Sequence, residues 1–148
     1  MSEVFNWNRT GYELVTIKYE WNVKVPFLET TDGNGEELLS PPFFFPKETQ
    51  NKIWRLKVID RSKQIRISMR NYNSAGDCVN FVEPVLVKMS ILDRNRQKVF
   101  HQIVPSNPNS PVVAFLLSKE FLMKIECQQS DGSYTFYCKI LTHVKQQT

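Results

Sequence analysis

From Leu14 to Val25 the chain alternates without a break. Val15, Ile17, Tyr19, Trp21, Val23 and Val25 share one parity, and Thr16, Lys18, Glu20, Asn22 and Lys24 share the other. A period of two belongs to a β-strand with one face on a core and does not suit an amphipathic helix. Pro26 ends the run, since proline removes a ladder donor. A chain that opens with so long a half-buried strand needs further strands to cover its apolar face.

Those strands recur at short intervals. Trp54, Leu56 and Val58 alternate with Arg55 and Lys57, and Ile65, Ile67 and Met69 alternate with Arg66, Ser68 and Arg70. The short turn from Asp60 to Gln64 predicts an antiparallel hairpin between them. Val85, Val87, Met89 and Ile91 form the next run, closed by Asp93-Arg94-Asn95-Arg96, and Lys98 to Val104 pairs back. Val112 to Leu117 is apolar, and Ser118 is placed to cap one helical turn through Leu122. Met123 to Gln128 is a further strand candidate. Tyr134 to Val144 is the last strand, with Phe136, Cys138, Ile140, Thr142 and Val144 on one face.

The connections read as turns. Glu29 to Glu37 is acidic and glycine-containing, Asn71 to Asn80 is a loop, and Pro105 to Pro111 is a proline-rich exposed loop. Ser40-Pro41-Pro42-Phe43-Phe44 can be neither helix nor central strand. It predicts an extended edge whose aromatics, Phe43 and Phe44, fold down onto the sheets while Trp54 anchors the hairpin. The expected fold is all-β: an antiparallel sandwich of seven to eight strands with at most one short helical turn. It divides into an N-terminal arm at 1–13 carrying Phe5 and Trp7, a sandwich domain at 14–145 and a polar tail at 146–148.

Length and cysteine content fit this reading. A chain of 148 residues suffices for one core without covalent staples. Cys78, Cys127 and Cys138 are odd in number and lack metal-ligand spacing, which predicts reduced thiols and an intracellular, cytoplasmic or nuclear setting. No apolar run reaches membrane-spanning length, and the N-terminus lacks the order of a signal peptide. In that setting the sequon Asn8-Arg9-Thr10 carries little meaning.

Catalytic and metal chemistry find no foothold in the pattern. His101 and His143 are the two histidines and have no ligand pair at metal spacing. No nucleophile elbow, phosphate loop or dinucleotide fingerprint occurs. Glu36 and Glu37 read as solvated charge. The chain is expected to be no enzyme and to need no cofactor or metal.

Charge is less even than the net +4 suggests. Seven cations lie between Lys52 and Arg70, with Asp60 the one acid among them. In the predicted register Arg55, Lys57, Arg66 and Arg70 share a face. That basic patch is either a solvated outer surface or a site for an acidic protein or nucleic acid. Nucleic acid is disfavoured, because the aromatics lie on the other parity.

Several stretches together resemble the MATH domain, also called the TRAF-homology domain. They are Tyr19-Glu20-Trp21-Asn22-Val23, then Leu39-Ser40-Pro41-Pro42-Phe43-Phe44 followed by Trp54-Arg55-Leu56-Lys57-Val58, and Val87 to Asp93 with Lys98-Val99-Phe100. Phe115 to Phe121 and Tyr134 to Lys139 add to the likeness, which is nearest the speckle-type POZ protein branch. The resemblance implies a TRAF-like eight-stranded sandwich and a non-catalytic module that holds an extended peptide of a partner. In that branch a following BTB domain recruits a cullin-3 ubiquitin ligase; no BTB domain is expected here, and without a coiled coil no trimer is expected either.

The family's groove is largely substituted. Asn109 to Ala114 stands where relatives carry a cationic, tryptophan-containing stretch, and Val87 stands where they have a groove phenylalanine. Unpaired backbone at a sandwich edge still favours an added strand. The expected peptide contacts are Arg66, Ser68, Val87, Phe100, Ser110, Val112 and Val113. The expected partner is a protein or peptide, with no membrane involvement.

Overall fold

A computed structural model describes residues 10–29, 35–43, 53–73, 75–81, 83–108 and 110–145, the side chains of 144 and 145 excepted. Phe5, Trp7, Asn8, Phe44, Lys52 and the tail at 146–148 lie outside them. Nine strands and one helical turn follow in order. They are β1 (Tyr12–Val23), β2 (Glu37–Leu39), β3 (Ile53–Arg61), β4 (Gln64–Tyr72), β5 (Cys78–Val79), β6 (Val85–Leu92), β7 (Lys98–Pro105), β8 (Val112–Ser118), α1 (Lys119–Leu122) and β9 (Tyr134–Lys145).

The strands form two antiparallel sheets, so the all-β sandwich is the fold. One sheet runs β1-β9-β6-β7, and the other runs β2-β3-β4 with β8 and the short β5 both paired to β4. The apolar parity of each strand faces inward. Leu56, Val58, Ile65, Ile67 and Met69 from one sheet, and Val87, Met89, Ile91, Phe136, Cys138 and Ile140 from the other, are all 0% exposed and belong to one core. Each such aliphatic or aromatic side chain contributes about 1.5–3 kcal/mol through burial.

The β3–β4 hairpin pairs Arg55 with Arg70 and Lys57 with Ser68, which places the expected cations on one outer face. Its two-residue turn carries Ser62 at φ 64, a left-handed position that the tight connection requires. Ser118 caps α1, its Oγ accepting from the Phe121 N–H at 3.4 Å. Phe43 is buried and bonded through its backbone to Trp54, so the Pro-Pro-Phe segment does fold onto the sandwich edge.

Three expectations need correction. β1 spans Tyr12–Val23, not Leu14 to Val25, and Val25 packs into the core from beyond its end. Met123 to Gln128 is a run of turns. Its bonds, Cys127 N–H to Lys124 O and Gln128 N–H to Ile125 O, are local, and of its alternating apolar residues only Cys127 is buried. Among the described residues the strands number nine because β2 and β5, three and two residues long, are too short to show a period.

Candidate functional site

β8 is the edge of its sheet. It pairs with β4 on one side, and among the described residues it has no strand partner on the other. The Val112 N–H donates to Ser110 Oγ at 3.3 Å, and that hydroxyl donates to the Val112 carbonyl at 3.2 Å. Val112 is therefore turned away from β4. Backbone direction alternates along a strand, so Ala114 and Leu116 turn the same way and leave their N–H and C=O groups toward the open edge.

β7 lies against β8 across the end of the sandwich. On β7, Phe100, Gln102 and Val104 carry inward parity, since they pair with the buried Ile91, Met89 and Val87 of β6. Yet Phe100 and Val104 are only half-buried and Gln102 is exposed. The inner face of β7 is thus left partly uncovered by β8. Phe121 reaches toward it from α1, its ring centroid 6.2 Å from that of Phe100.

The seven residues expected to touch a peptide do not converge. Phe100 lies on the inner face of β7. Ser110 and Val112 stand at the start of β8. Arg66 and Ser68 lie on the outer face of the sheet, paired with Leu116 and Ala114 and on the same face as Val112, and Ser68 is 0% exposed there. Val87 at 0% and Val113 at 2% are core residues that a ligand cannot reach. Leu116, Gln102 and Phe121 were not among the expected contacts. Exposed Leu116 on an apolar strand, and a glutamine on the inward parity of β7, were the signals available.

The hairpin cations are partly neutralised. Lys57 Nζ lies 3.3 Å from Glu37 Oε1, and Arg55 donates to the Ser40 carbonyl at 3.4 Å. Arg66 is the most crowded: burial, then Arg70 and Arg61, push its pKa below the ordinary value for a guanidinium. The aromatics do not join them on this face except at its end, where Tyr72 pairs with Ile53.

Asp60 is no turn residue. It ends the inward parity of β3, is 0% exposed and accepts from Lys119 Nζ at 2.5 Å, with Lys119 itself 2% exposed. The Lys119 N–H also bonds the Lys63 carbonyl, so α1 is pinned to the β3–β4 turn. The parity Trp54, Leu56, Val58, Asp60 was the signal for this buried acid.

Among the described residues no group of three or more His, Cys, Asp or Glu gathers as a metal site. All three cysteines are free thiols; Cys78 is exposed, and burial pushes the Cys138 thiol up to about 12. His101 is exposed and shares a 3.1 Å hydrogen bond with Ser90 through Nδ1, whereas His143 is buried. No helix among the described residues is long and apolar enough to cross a membrane.

No family model matches the chain, and no curated protein matches it. Among solved structures, one match is the KRT10-binding region domain of the pneumococcal serine rich repeat protein PsrP. It is 10% identical, covers 92% of this chain and 82% of that one, and has a TM-score of 0.28. A likeness so slight carries no argument about fold or partner.

Proposed function

We propose that the chain is a non-catalytic protein-interaction module of the MATH type that binds an extended peptide by strand addition to β8. One observation carries the reading: the Ala114 and Leu116 backbone groups turn toward an open edge beneath the half-buried inner face of β7. A peptide lying there extends the sheet by one strand, and its hydrogen bonds replace those the edge now makes with water. Alternate side chains then meet Phe100, Gln102, Val104 and Phe121 on one side and Leu116 on the other. Specificity comes from these, because the main-chain bonds are blind to sequence. The resemblance of Tyr19–Val23, Leu39–Val58 and Val87–Phe100 to MATH sequences supports the same class. By that resemblance the module is related to the substrate-recognition domains of cullin-3 ubiquitin ligase adaptors.

The test is a peptide array followed by titration of the strongest peptide against Ala114→Pro. The Ala114 N–H lies outside the β4–β8 ladder, so proline there leaves the sheet intact but blocks an incoming strand. Affinity is expected to fall at least tenfold, with Leu116→Asp weaker by a similar factor. A folded Ala114→Pro protein that keeps the affinity overturns strand addition at this edge.

A further inference from the structure

The outer face of the β1-β9-β6-β7 sheet carries an anomaly that no single stretch of sequence displays. Lys18 of β1 pairs directly with Lys139 of β9, and Lys139 pairs directly with Lys88 of β6. Three lysines thus stand side by side across three strands, their Cα atoms spanning about 10 Å at ordinary strand spacing. Like charges directly opposite each other destabilise a sheet. Among the described residues none of the three has a carboxylate partner. The one acid in the adjoining row, Glu20, is bonded to Arg96. The hairpin on the other sheet differs, since Glu37 and the Ser40 carbonyl engage two of its cations.

That adjoining row is the second half of the observation. Glu20 pairs with Tyr137, Tyr137 with Ser90, and Ser90 with His101. Tyr137 and the exposed His101 therefore lie on the same face as the lysines, one row along. Lys98 Nζ stands 4.8 Å over the Tyr137 ring and adds a fourth cation. Nucleic acid was disfavoured above because the hairpin's cations have no aromatics beside them, and that ground does not extend to this face.

We propose that this face binds single-stranded nucleic acid. The phosphates track Lys18, Lys139 and Lys88, and bases stack on Tyr137 and His101. Cations alone would fit any polyanion; the aromatic row is what selects a chain with flat bases. The exposed Lys98 side chain moves off Tyr137 and stays beside the phosphates. The site lies on a different sheet from β8 and does not depend on peptide binding there.

Titrating the protein with a fluorescently labelled 12-nucleotide single-stranded RNA, read by anisotropy, tests this. Log affinity is expected to fall with log salt at a slope of about −2.8 for the four lysines, and each Lys→Ala change at 18, 88 or 139 makes that slope shallower by roughly 0.7. Tyr137→Ala is expected to weaken binding by roughly tenfold. Lys139→Glu provides an opposing readout. It abolishes RNA binding, yet it raises the melting temperature by about 1–4 °C, because it pairs with both neighbouring lysines. Ala114→Pro leaves RNA affinity unchanged. No RNA binding at low salt overturns the proposal. So does RNA affinity that Tyr137→Ala leaves intact, or equal binding to polyglutamate or to vesicles of phosphatidylcholine and phosphatidylserine.

Discussion

The two long sides of the sandwich are closed to different degrees. On the β1–β2 side Tyr19 stacks on Phe43 with ring centroids 4.0 Å apart and planes at 15°, and Phe43 is held to Trp54 by paired backbone bonds. Trp54 in turn stacks on Phe81 at 5.6 Å. On the β7–β8 side Phe100 meets Phe121 at 6.2 Å and 55°, and Gln102 stands exposed on an inward position. The closed side is sealed by a segment that cannot be a regular strand. Pro41 and Pro42 stop the ladder, Ser40 completes it by exchanging bonds with Leu56, and Phe43 is left to lie across the edge. The open side has strands right to its rim and no such strap among the described residues. A sandwich closes where an irregular aromatic segment covers the edge and stays available where a strand is left bare.

The first way to test that contrast is at the buried ion pair that holds α1 to the end of β3. Lys119→Ala leaves the fully buried Asp60 carboxylate without its cation, and it loosens α1, which carries Phe121. Destabilisation of about 3–5 kcal/mol is expected in urea unfolding. The double change Asp60→Leu, Lys119→Met is expected to recover most of it, because well-packed apolar residues can replace a buried pair. If the double variant is as unstable as the single one, the pair contributes more than its charges.

Next in size is the strap. Phe43→Ala removes the ring of a 7%-exposed residue that stacks on Tyr19, and is expected to cost about 3 kcal/mol, with peptide binding unchanged. The matching change on the open side, Phe100→Ala, is expected to cost only about 1 kcal/mol, because the ring is half-buried already, but to weaken the peptide several-fold. Equal stability losses at the two positions, measured by urea unfolding, would erase the difference between the sides.

Much of the fold was legible because parity is local. The alternation of Val15 to Val23, of the β3–β4 hairpin and of β6, and the Ser118 cap, each follow from neighbours in sequence. Parity misled at Met123, Ile125 and Cys127, where turns happen to space apolar residues by two. The candidate site was harder to read, for a different reason. Parity says which residues share a face. It does not say which face is core or which strands become neighbours. Val87 and Val113 were therefore expected at a surface and lie in the core, and Ser68 was expected to be reachable and is covered. The Lys18–Lys139–Lys88 row needs two registers at once and cannot be seen along the chain.

The smallest effect at neutral pH concerns Cys138, which faces Tyr19 across the closed side's own sheet. Burial pushes its thiol up to about 12 from an ordinary 9.0. The folded state thus holds the proton more tightly than the unfolded chain. Its contribution to stability is complete below pH 9 and is lost as pH rises from about 9 through about 12. Near pH 7 Cys138→Ala is expected to show only the cost of the lost sulfur atom. Above pH 9 its unfolding free energy falls less steeply than that of the parent. At pH 8 a thiol reagent is expected to modify exposed Cys78 quickly and to reach Cys127 and Cys138 only after denaturation. Fast labelling of Cys138 in the folded protein would show that the side sealed by Phe43 opens as readily as the side where β8 stands bare.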